Sequence, residues 1–522
     1  MDITIRILEI IQMNLLDFVI QKTNEYINRM PKSQRKKYGQ FFTSKETALF
    51  MAELFDIPNK THLHVLDAGA GTGILSVALI ERLQSISQIQ YIHLVCYEND
   101  PKIIDLLETN LKWVYQNTTL NFDYEIREDN YIVSQELEYN KKTNINSFKY
   151  DMIIGNPPYK KIGKNALEAK VMSDVCYGAP NLYFLFLSMS LFNLLQDGEL
   201  VYIIPRSWTS GTYFKKFRQN FLKDGVLEHI HLFISRDKVF ENENVLQETM
   251  IIKVKKTITI PTNIIITTTQ SNKDFSNKTT FKAAYSTIIS GENSYVYLAT
   301  NEQELKILEQ LNKWTNTLPN IGLKMKTGLT VDFRNKEALR DISEDNTVPL
   351  FFPQHIQKGK VIFPIGRKCE YIDTNKPGLL QPNMNYLFVK RFSSKEEHRR
   401  LQCGIYLARK YPNYSQISTQ NKINFISGLK ELSECVVYGL YVLFNSTLYD
   451  RYYRILNGST QVNSSEINSM PIPCLESIES MGKKLIQSNN LTEENCDKIL
   501  RSFIHEEDRR SKRNIENIAS AS

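Results

Sequence analysis

The segment Asp151–Lys160 reads DMIIGNPPYK, an apolar run that ends in an asparagine, two prolines and an aromatic residue. The side-chain oxygen of Asn156 and the backbone carbonyl of Pro157 are two acceptors that the rigid prolines would hold in place. Such a pair suits an amine on an aromatic ring, because it takes up both hydrogens and localises the delocalised lone pair. Tyr159 could stack on that ring. The segment predicts chemistry at a planar nitrogen, although an isolated NPPY more often only ends a strand.

A second segment, DAGAGTG at Asp67–Gly73, lies between an expected strand and an expected helix. The GxGxG spacing that includes Gly69 and Gly71 allows close approach of a ligand but differs from the GxGxxG of dinucleotide sites. The carboxylate of Asp67 would repel a pyrophosphate and suits a cationic ligand. Glu98 in CYEND could bind both hydroxyls of a ribose. We therefore expect S-adenosyl-L-methionine as the cofactor; the alternative is a glycine-rich turn needed only for packing.

Two further stretches are candidates for the same site. Asp129, in REDN after a plausible third strand, could accept a hydrogen bond from the adenine amino group of the cofactor, although an acidic loop residue is usually only solvated. The segment 38–44 reads YGQFFTS and combines a glycine, two aromatics and hydroxyl residues. Taken alone, it is typical of a helix entry with Thr43 or Ser44 as the cap.

The elements that must position these residues follow an alternating pattern. From Leu63 to about Lys255, short apolar runs alternate with helix-length amphipathic stretches, which is typical of parallel-strand α/β architecture. The expected strands are HLHVLDAG, IHLVCYEN, YDMIIGN, GELVYIIP and ETMIIKVK, and GILSVALIERLQ is an expected helix. After Lys256 a β-branched run and a polar stretch follow, and we place a domain boundary in this zone.

The composition is that of a soluble globular protein. Of 522 residues, 42% are hydrophobic and 23% charged, and the length predicts about two to four domains. The formal charge of +7 permits an anionic partner such as nucleic acid without demonstrating one. Seven scattered cysteines without a CxxC pair indicate neither a disulfide framework nor a zinc site, and no metal is expected. The N-terminus is unlike a signal peptide, so we expect a cytoplasmic protein without a membrane span.

With YGQFFTS, DAGAGTG, YEND and NPPY in this order, the chain resembles the amino-group DNA methyltransferases of restriction-modification systems, specifically the N6-adenine enzymes of gamma motif order. The resemblance continues through NLYFLFL, LVYIIPRSWTSGTYFKKFR, TGLTVDFR, LFVKRFSSKEEHRR and NGSTQVNSSEINSMPIP. It implies a Rossmann-like domain dependent on S-adenosyl-L-methionine, followed by a mixed α+β DNA target-recognition domain. We expect a helical extension at 1–36, the catalytic domain at 37–256, target recognition at 257–475 and a helical tail at 476–522.

The resemblance also implies roles for single residues of the catalytic domain. The residues expected to contact the cofactor are Phe41, Thr43, Asp67, Gly69, Gly71, Glu98, Asp129 and Pro158. The residues expected around the target base are Asn156, Pro157, Tyr159 and Phe240, with Phe240 on the opposite face of the ring. A core aromatic is the alternative for Phe240. The family often has a proline after the threonine of FFTS, where this chain has Ser44, which weakens the assignment of Thr43.

The C-terminal half is expected to bind DNA, since basic residues cluster there and alternate with tyrosines. The residues that fit phosphate contacts are Lys390, Arg391, Lys395, Arg399, Arg400, Arg451 and Arg454. A solvated helix face is the alternative for each charge run. The segment TGLTVDFR resembles a branch of the family that includes enzymes protecting the sequence CTGCAG.

The implied activity is methyl transfer to the N6 amine of an adenine flipped out of double-stranded DNA, which protects that DNA from a separately encoded restriction endonuclease. Two alternatives stay open. One is methylation of a protein glutamine, whose side-chain amide is also planar; the long basic and aromatic C-terminal half argues against it. The other is a non-catalytic DNA-binding subunit that kept the fold; the intact set of motifs argues against it.

Overall fold

The computed structural model describes residues 14–29, 43–141, 149–235, 248–394, 396–457 and 460–521, with side chains described up to residue 509 apart from 508. The chain forms two compact units, Met1–Asn301 and Glu302–Ser522. The first is an α/β unit around one large sheet, and the second combines two sheets with helices. This arrangement confirms the expected fold class. Among the described residues, no helix is both long enough and apolar enough to cross a membrane.

Within the described residues, the large sheet of the first unit has nine strands, which are β1 (His62–Ala68), β2 (Tyr91–Tyr97), β3 (Asn121–Arg127), β4 (Tyr150–Gly155), β5 (Leu194–Pro205), β6 (Gly225–Phe233), β7 (Thr249–Lys256), β8 (Asn263–Thr269) and β9 (Thr279–Ala284). Their order is β3-β2-β1-β4-β5-β7-β6-β8-β9. Strands β1 to β5 are parallel, and β7 runs antiparallel to β5 and β6. Each strand expected from an apolar run is present, because central strands covered on both faces need continuous apolar sequence.

The helices of the first unit are α1 (Leu15–Arg29), α2 (Lys45–Glu53), α3 (Ile74–Leu83), α4 (Pro101–Asn117), α5 (Glu136–Tyr139), α6 (Leu167–Val171), α7 (Leu182–Asn193), α8 (Lys215–Asp224) and α9 (Tyr285–Ile288). Helix α1 packs against α3 and α4, where Phe18 stacks on Trp113 with ring centroids 4.0 Å apart. Leu16 and Val19 of α1 are fully buried in the same core. The expected extension at 1–36 therefore contributes, through α1, to the core of the first unit.

The boundary expected after Lys256 lies within the first unit. Strand β8 pairs with β6 and strand β9 pairs with β8, so both extend the large sheet, and the unit ends at Asn301. The β-branched run that suggested a new domain buries Ile264 and Ile266 as sheet residues. The polar stretch after it is the connection between β8 and β9. A short pair, β10 (Ile289–Ser290) and β11 (Tyr295–Val296), follows them.

The second unit contains a six-stranded and a five-stranded sheet. The first consists of β12 (Leu323–Thr327), β15 (Ile356–Gln357), β16 (Lys360–Val361), β19 (Tyr386–Lys390), β20 (Cys403–Tyr406) and β22 (Ile423–Gly428). The second consists of β13 (Leu339–Arg340), β14 (Thr347–Phe351), β17 (Tyr371–Asp373), β18 (Gln381–Pro382) and β21 (Gln416–Thr419). The helices are α10 (Glu302–Leu311), α11 (Glu434–Phe444), α12 (Thr447–Leu456), α13 (Ser464–Ser469), α14 (Leu475–Ser488) and α15 (Glu493–Ala521).

Helices α11 and α14 pack backbone to backbone through two glycines. A Cβ on Gly439 would lie 1.8 Å from the carbonyl oxygen of Ile478, and a Cβ on Gly482 would lie 1.8 Å from that of Cys435. No side chain fits at either position unless the helices separate. Helix α14 opens the expected tail at 476–522, so this part of the chain belongs to the core of the second unit.

We predict that Gly439→Ala destabilises the second unit by roughly 1–3 kcal/mol or more, because the added methyl group forces the two helices apart. Calorimetric or chemical unfolding measures the change. Gly378→Ala is the matched control, since no atom lies within 4 Å of a Cβ there. Alanine is the better helix former by about 1 kcal/mol. A gain in stability from Gly439→Ala would therefore show that the helices are not in close contact.

Candidate active site

The candidate site lies where the order of the sheet reverses, between β1 and β4. These strands are parallel neighbours, with Asp67 opposite Ile154. The connections after them, the glycine loop (69–73) and the NPPY segment (156–159), therefore leave the sheet side by side. In doubly wound sheets this reversal point opens the crevice that binds ligands.

A cavity of about 350 Å³ opens at this point. The expected site residues that line it are Thr43, Gly69, Gly71, Glu98, Asp129, Asn156, Pro157 and Pro158. Asp67 and Tyr159 do not belong to its lining. Phe41 and Phe240 lie outside the described residues, and their expected roles stay predictions. The cavity has the size of a small-molecule site, and backbone, amide and carboxylate groups are among its lining.

The glycine loop depends on left-handed backbone at Gly69, Gly71 and Gly73, whose φ angles are 78°, 57° and 86°. The amides of Gly69 and Ala70 both donate to the carbonyl of Tyr97, at 2.8 and 2.9 Å. These bonds tie the loop to the end of β2. A Cβ on Gly69 would lie 3.6 Å from the ring of Phe186 and 4.0 Å from Pro158, so the loop also packs against the NPPY segment.

Glu98 holds the other side of the loop. One carboxylate oxygen accepts from the amide of Gly71 at 2.9 Å, and the other accepts from the amides of Asn99 and Asp100, both at 2.9 Å. Burial raises the pKa of the Glu98 carboxyl although these three donors favour its charged form. Glu98 thus presents a fixed, partly desolvated carboxylate at the cavity wall, which suits a vicinal diol.

Asp67 lies beneath the loop and not at the cavity surface. It is fully buried, and its Oδ2 accepts from the hydroxyl of Ser76 at 2.6 Å. Its Oδ1 has no hydrogen-bond partner in the part of the chain that the structure describes. Burial raises the pKa of Asp67 to about 7. The expected direct contact of Asp67 with a ligand is therefore not what the structure shows, because the turn that follows β1 covers the carboxyl group.

Asn156 is joined to the entry of helix α2. Its Nδ2 donates to the hydroxyl of Thr43 at 3.2 Å, and the side chain of Ser44, the next residue, caps the helix by accepting from the amide of Thr47. The bond engages the nitrogen end of the amide and so orients the oxygen end, which is the acceptor that the amine chemistry requires. The sequence separated these residues by more than 100 positions, and the fold brings them into contact.

Comparisons with known proteins bear on this site. A family model described as Eco57I restriction-modification methylase matches residues 78–240. The type II methyltransferase M.BsuBI of Bacillus subtilis is 33% identical over 480 residues, which are 90% of this chain and 94% of that protein. M.PstI of Providencia stuartii is 32% identical over 491 residues, which are also 90% of this chain and 94% of that protein. The chain belongs to the type II restriction-modification methyltransferases. Among solved structures, the type IIL enzyme MmeI in complex with DNA aligns at a TM-score of 0.49 and 13% identity, over 95% of this chain and 75% of that one.

Tyr159 anchors the NPPY segment of this methyltransferase. Its hydroxyl donates to the carbonyl of Ile203 in β5 at 3.0 Å, and its ring meets that of Tyr183 edge to face at 6.4 Å. Burial raises the pKa of the Tyr159 phenol well above its ordinary value. The hydroxyl is thereby fixed to the sheet, and the expected stacking of the ring on a target base stays a prediction.

Sequence reasoning missed a buried hydrogen-bond network behind the cavity. The ring of Tyr202 lies 2.7 Å from where a Cβ of Gly155 would be, so only glycine fits before Asn156. The hydroxyl of Tyr202 is 2.7 Å from that of Ser190, which is 3.1 Å from the hydroxyl of Tyr131. Tyr131 lines the cavity. The network therefore connects the cavity wall after β3 with the strand that ends in NPPY.

The wall after β3 holds a second polar residue that the sequence did not single out. Asn130 accepts from the amides of Ile132 and Val133, both at 3.1 Å, and donates to Glu168 at 2.8 Å. Both Asn130 and Glu168 line the cavity beside the exposed Asp129. Its position directly after Asp129 is the only sequence signal that could have found it.

Three arginines expected to contact DNA are engaged by acceptors within the second unit. Arg400 is fully buried, donates to the hydroxyl of Ser393 at 3.0 Å, and has its pKa lowered by burial. Arg399 pairs with Glu493 at 2.9 Å and donates to two carbonyls at the end of α11. Arg454 pairs with Asp450 at 2.8 Å. The expectation of phosphate contacts is wrong for Arg400 and is not supported for Arg399 and Arg454, because internal acceptors engage them.

For three other residues of the set expected to contact DNA, a phosphate contact stays a prediction. Arg451 is exposed on α12, and Lys390 and Arg391 are half-buried at the end of β19. Lys395 lies outside the described residues. Of these three residues only Arg451 is exposed, and the guanidinium of Arg391 also donates to the carbonyl of Asn421.

We predict that Asp67→Asn stabilises the first unit at pH 8 but not at pH 4. The folded-state pKa of about 7 lies above the ordinary value of 3.8. Below about pH 4 the Asp67 carboxyl is protonated in both the folded and the unfolded state, so it does not change the free energy of unfolding. As the pH rises from about 4 to about 7, the carboxyl of the unfolded state releases its proton while that of the folded state keeps it, and the free energy of unfolding falls. The variant should gain on the order of 2–4 kcal/mol by pH 8.

Calorimetric unfolding of both proteins from pH 4 to pH 8 measures this gain. Asp105→Asn on the exposed face of α4 is the matched control, and its difference from the wild type should not change over that range. A gain for Asp67→Asn that is equally large at pH 4 and pH 8 would contradict a raised pKa at this position.

Proposed function

We propose that the protein is a site-specific DNA adenine N6-methyltransferase that uses S-adenosyl-L-methionine and acts on an adenine flipped out of double-stranded DNA. The observation that supports this proposal is that the Glu98 carboxylate and the glycine loop line the same cavity as Asn156 and Pro157. The first pair of features suits a cofactor and the second pair suits an amine. Their juxtaposition favours methyl transfer to a planar nitrogen over simple binding of a nucleoside.

The donor set fits a sulfonium nucleoside. Glu98 would accept hydrogen bonds from the ribose hydroxyls, and Asp129 at the exposed rim would accept from the adenine amine. The buried carboxyl of Asp67 would contribute negative potential from beneath the loop, which favours a cation in the cavity. Phe186 and Pro158 would supply apolar contact. When bound, the cofactor would supply a methyl group bonded to a positively charged sulfur.

The NPPY segment would supply the groups that bind the adenine amine, which accepts the methyl group. The oxygen of Asn156 and the carbonyl of Pro157 would accept the two hydrogens of the adenine amine and direct its lone pair out of the ring system. They would also stabilise the positive charge that develops on the nitrogen. Thr43 orients the Asn156 amide, and the two prolines fix the carbonyl. No charged base is required before attack: the amine would form the new C–N bond as the bond between sulfur and methyl breaks, the electron pair of that bond would stay on the sulfur, and the nitrogen would then lose one proton to solvent.

Access to the amine requires base flipping, because N6 takes part in the base pair. Unpairing and unstacking cost a few kcal/mol, which contacts between the second unit and DNA would have to offset. Tyr159 would meet one face of the base, and Phe240 would meet the other. A separately encoded restriction endonuclease with the same target is the proposed partner. CTGCAG is the first target to test, which rests on the resemblance of TGLTVDFR.

We predict that Glu98→Gln weakens binding of S-adenosyl-L-methionine about 10- to 100-fold, because an amide cannot accept from the loop amides on both sides and from a ribose as well. Isothermal calorimetry on the whole chain measures the affinity. Glu53→Gln at the exposed end of α2 is the control and should bind as the wild type does. Equal affinities for Glu98→Gln and the wild type would remove Glu98 from the cofactor site.

We predict that Asn156→Ala lowers methyl transfer to DNA by roughly 10²–10³ or more, since it removes one of two acceptors that act on the developing charge. Transfer of a radiolabelled methyl group to duplex DNA, followed by digestion to nucleosides, measures rate and product. Cofactor affinity should stay within about threefold, and Asn59→Ala, an exposed residue before β1, should be fully active.

The same experiment separates the alternatives. Wild-type protein that labels a protein glutamine but no DNA would replace the proposed substrate. Wild-type protein that binds the cofactor and labels neither would end the proposal of methyl transfer. Label in cytosine rather than adenine would keep the mechanism and change the base. Sequencing of methylated DNA from a host that expresses the chain would identify the target.

A further inference from the structure

Four chain segments meet at one end of the six-stranded sheet in the second unit. Strands β12 and β19 both run antiparallel to β22, with Thr327 opposite Asn424 and Lys390 opposite Ile423. The ends of β12 and β19 therefore lie beside the start of β22. The turn after β12, the segment 420–422 before β22, the residues 391–392 after β19 and the segment 460–462 converge there.

Backbone and side-chain bonds fix the order of these segments. The amide of Asn421 donates to the carbonyl of Thr330 at 2.8 Å, and Gln420 donates to the Asp332 carboxylate at 2.9 Å. The amide of Arg391 donates to the carbonyl of Lys422 at 2.9 Å. The carbonyl of Arg391 accepts from the amide of Val462 at 2.7 Å. The exposed and half-buried side chains on these joined segments are called the strand-end surface: Phe333, Arg334, Lys422, Arg391 and Phe392.

The strand-end surface combines cations with exposed aromatic rings. Phe333 and Phe392 are 64% and 44% exposed, and they are the two exposed phenylalanines among the residues that the structure describes. A guanidinium lies 5.6 Å from each ring centroid, that of Arg334 at Phe333 and that of Arg391 at Phe392. Lys422 is exposed between them. The adjacent carboxylate of Asp332 keeps its charge although it accepts from the neutral amide of Gln420. The surface carries three cations against this carboxylate, so the net charge of the set is positive.

The backbone that carries the surface is closely packed. A Cβ on Gly328 would lie 2.1 Å from the carbonyl oxygen of Gln420, so the turn after β12 touches the segment before β22. Thr330 is fully buried, and its hydroxyl is 2.7 Å from that of Ser418. A guanidinium N–H of Arg391 donates a hydrogen bond to the carbonyl of Asn421 at 3.0 Å, which holds the head group in place. Preorganised groups lose little conformational entropy when they bind a partner.

We propose that the strand-end surface contacts duplex DNA, with Lys422 and Arg391 against phosphates and Phe392 and Phe333 against base edges. This inference rests on the proposed function and adds the residues that hold and read the DNA. Cations beside exposed aromatic rings suit a polyanion that also offers apolar base edges such as the thymine methyl group. It replaces the buried Arg400 and the internally paired Arg399 and Arg454 as the source of DNA contacts.

The first test compares two lysines at opposite ends of the same strand. Lys422 directly precedes β22 and Lys430 follows it, and both are exposed. Lys422→Ala should weaken binding of the full chain to a methylatable duplex about 5- to 10-fold at 0.15 M salt. It should also lower the slope of log affinity against log salt by about 1, while Lys430→Ala changes neither. Equal effects of the two substitutions overturn the phosphate contact.

The second test addresses the aromatic contact. Phe392→Ala should lower the ratio of affinities for the target and a single-mismatch duplex at least fivefold, whereas Lys422→Ala should weaken both duplexes alike. Leu429→Ala, 97% exposed at the far end of β22, is the control. Unfolding temperature and cofactor affinity should stay at wild-type values, which separates a lost contact from misfolding. An unchanged ratio for Phe392→Ala overturns base reading by this surface.

The outcomes also separate this inference from the proposed function. Wild-type protein that methylates DNA, with both surface variants as active and as tightly bound as the wild type, overturns the strand-end surface alone. Wild-type protein that binds cofactor and no DNA overturns both. Loss of discrimination in Phe392→Ala together with normal cofactor binding supports the surface and retains the catalytic site.

Discussion

The parallel pairing of β1 with β4 is the constraint on which the site depends. It places Asp67 opposite Ile154, and only this register lets the glycine loop and the NPPY segment leave the sheet as neighbours. A shift by one residue would turn every side chain of β4 to the other face. The register is secured by packing as well, since the ring of Tyr202 occupies the space that a side chain at position 155 would need. The glycine before Asn156 is thus a consequence of how β4 meets β5.

Several features of the candidate site lower the stability of the folded protein. The loop holds three glycines at positive φ, and Asp67 and Glu98 are carboxyl groups that burial disfavours in their charged form. The surrounding sheet offsets this with central strands that are buried on both faces. Under the proposed function the imbalance is useful, because a carboxylate that lacks full solvation is a stronger partner for a cation than a hydrated one. The buried carboxyl groups therefore favour a cation in the cavity, and they lower the stability of the unbound protein.

The parts that short-range pattern could predict were the strands, helix α3 and the residues that follow each strand. Apolar runs of four to six residues specify buried strands, and their ends in a parallel sheet specify a common edge. Long-range packing could not be predicted in the same way. The Tyr131–Ser190–Tyr202 network joins residues that are far apart in the chain. Nothing in the sequence around them distinguishes their side chains from those of other core residues. The boundary expected after Lys256 falls inside the first unit because β8 pairs with β6 and β9 pairs with β8. Composition alone does not show which strand a β-branched run will pair with.

The arginines of the second unit show why a run of cations in a sequence is a poor guide to a nucleic-acid surface. Arg399 and Arg400 are adjacent, so their charges repel unless carboxylates and carbonyls approach, and the fold supplies these from Glu493 and from the end of α11. A dense run is therefore easily absorbed into the structure. The strand-end surface collects its cations singly, from three segments that no local window contains. Each cation there has fewer internal partners, and strand ends can project it outward. Charge that reaches the solvent in this way depends on the register of β12, β19 and β22, which is the same kind of constraint that brings the residues of the candidate active site together.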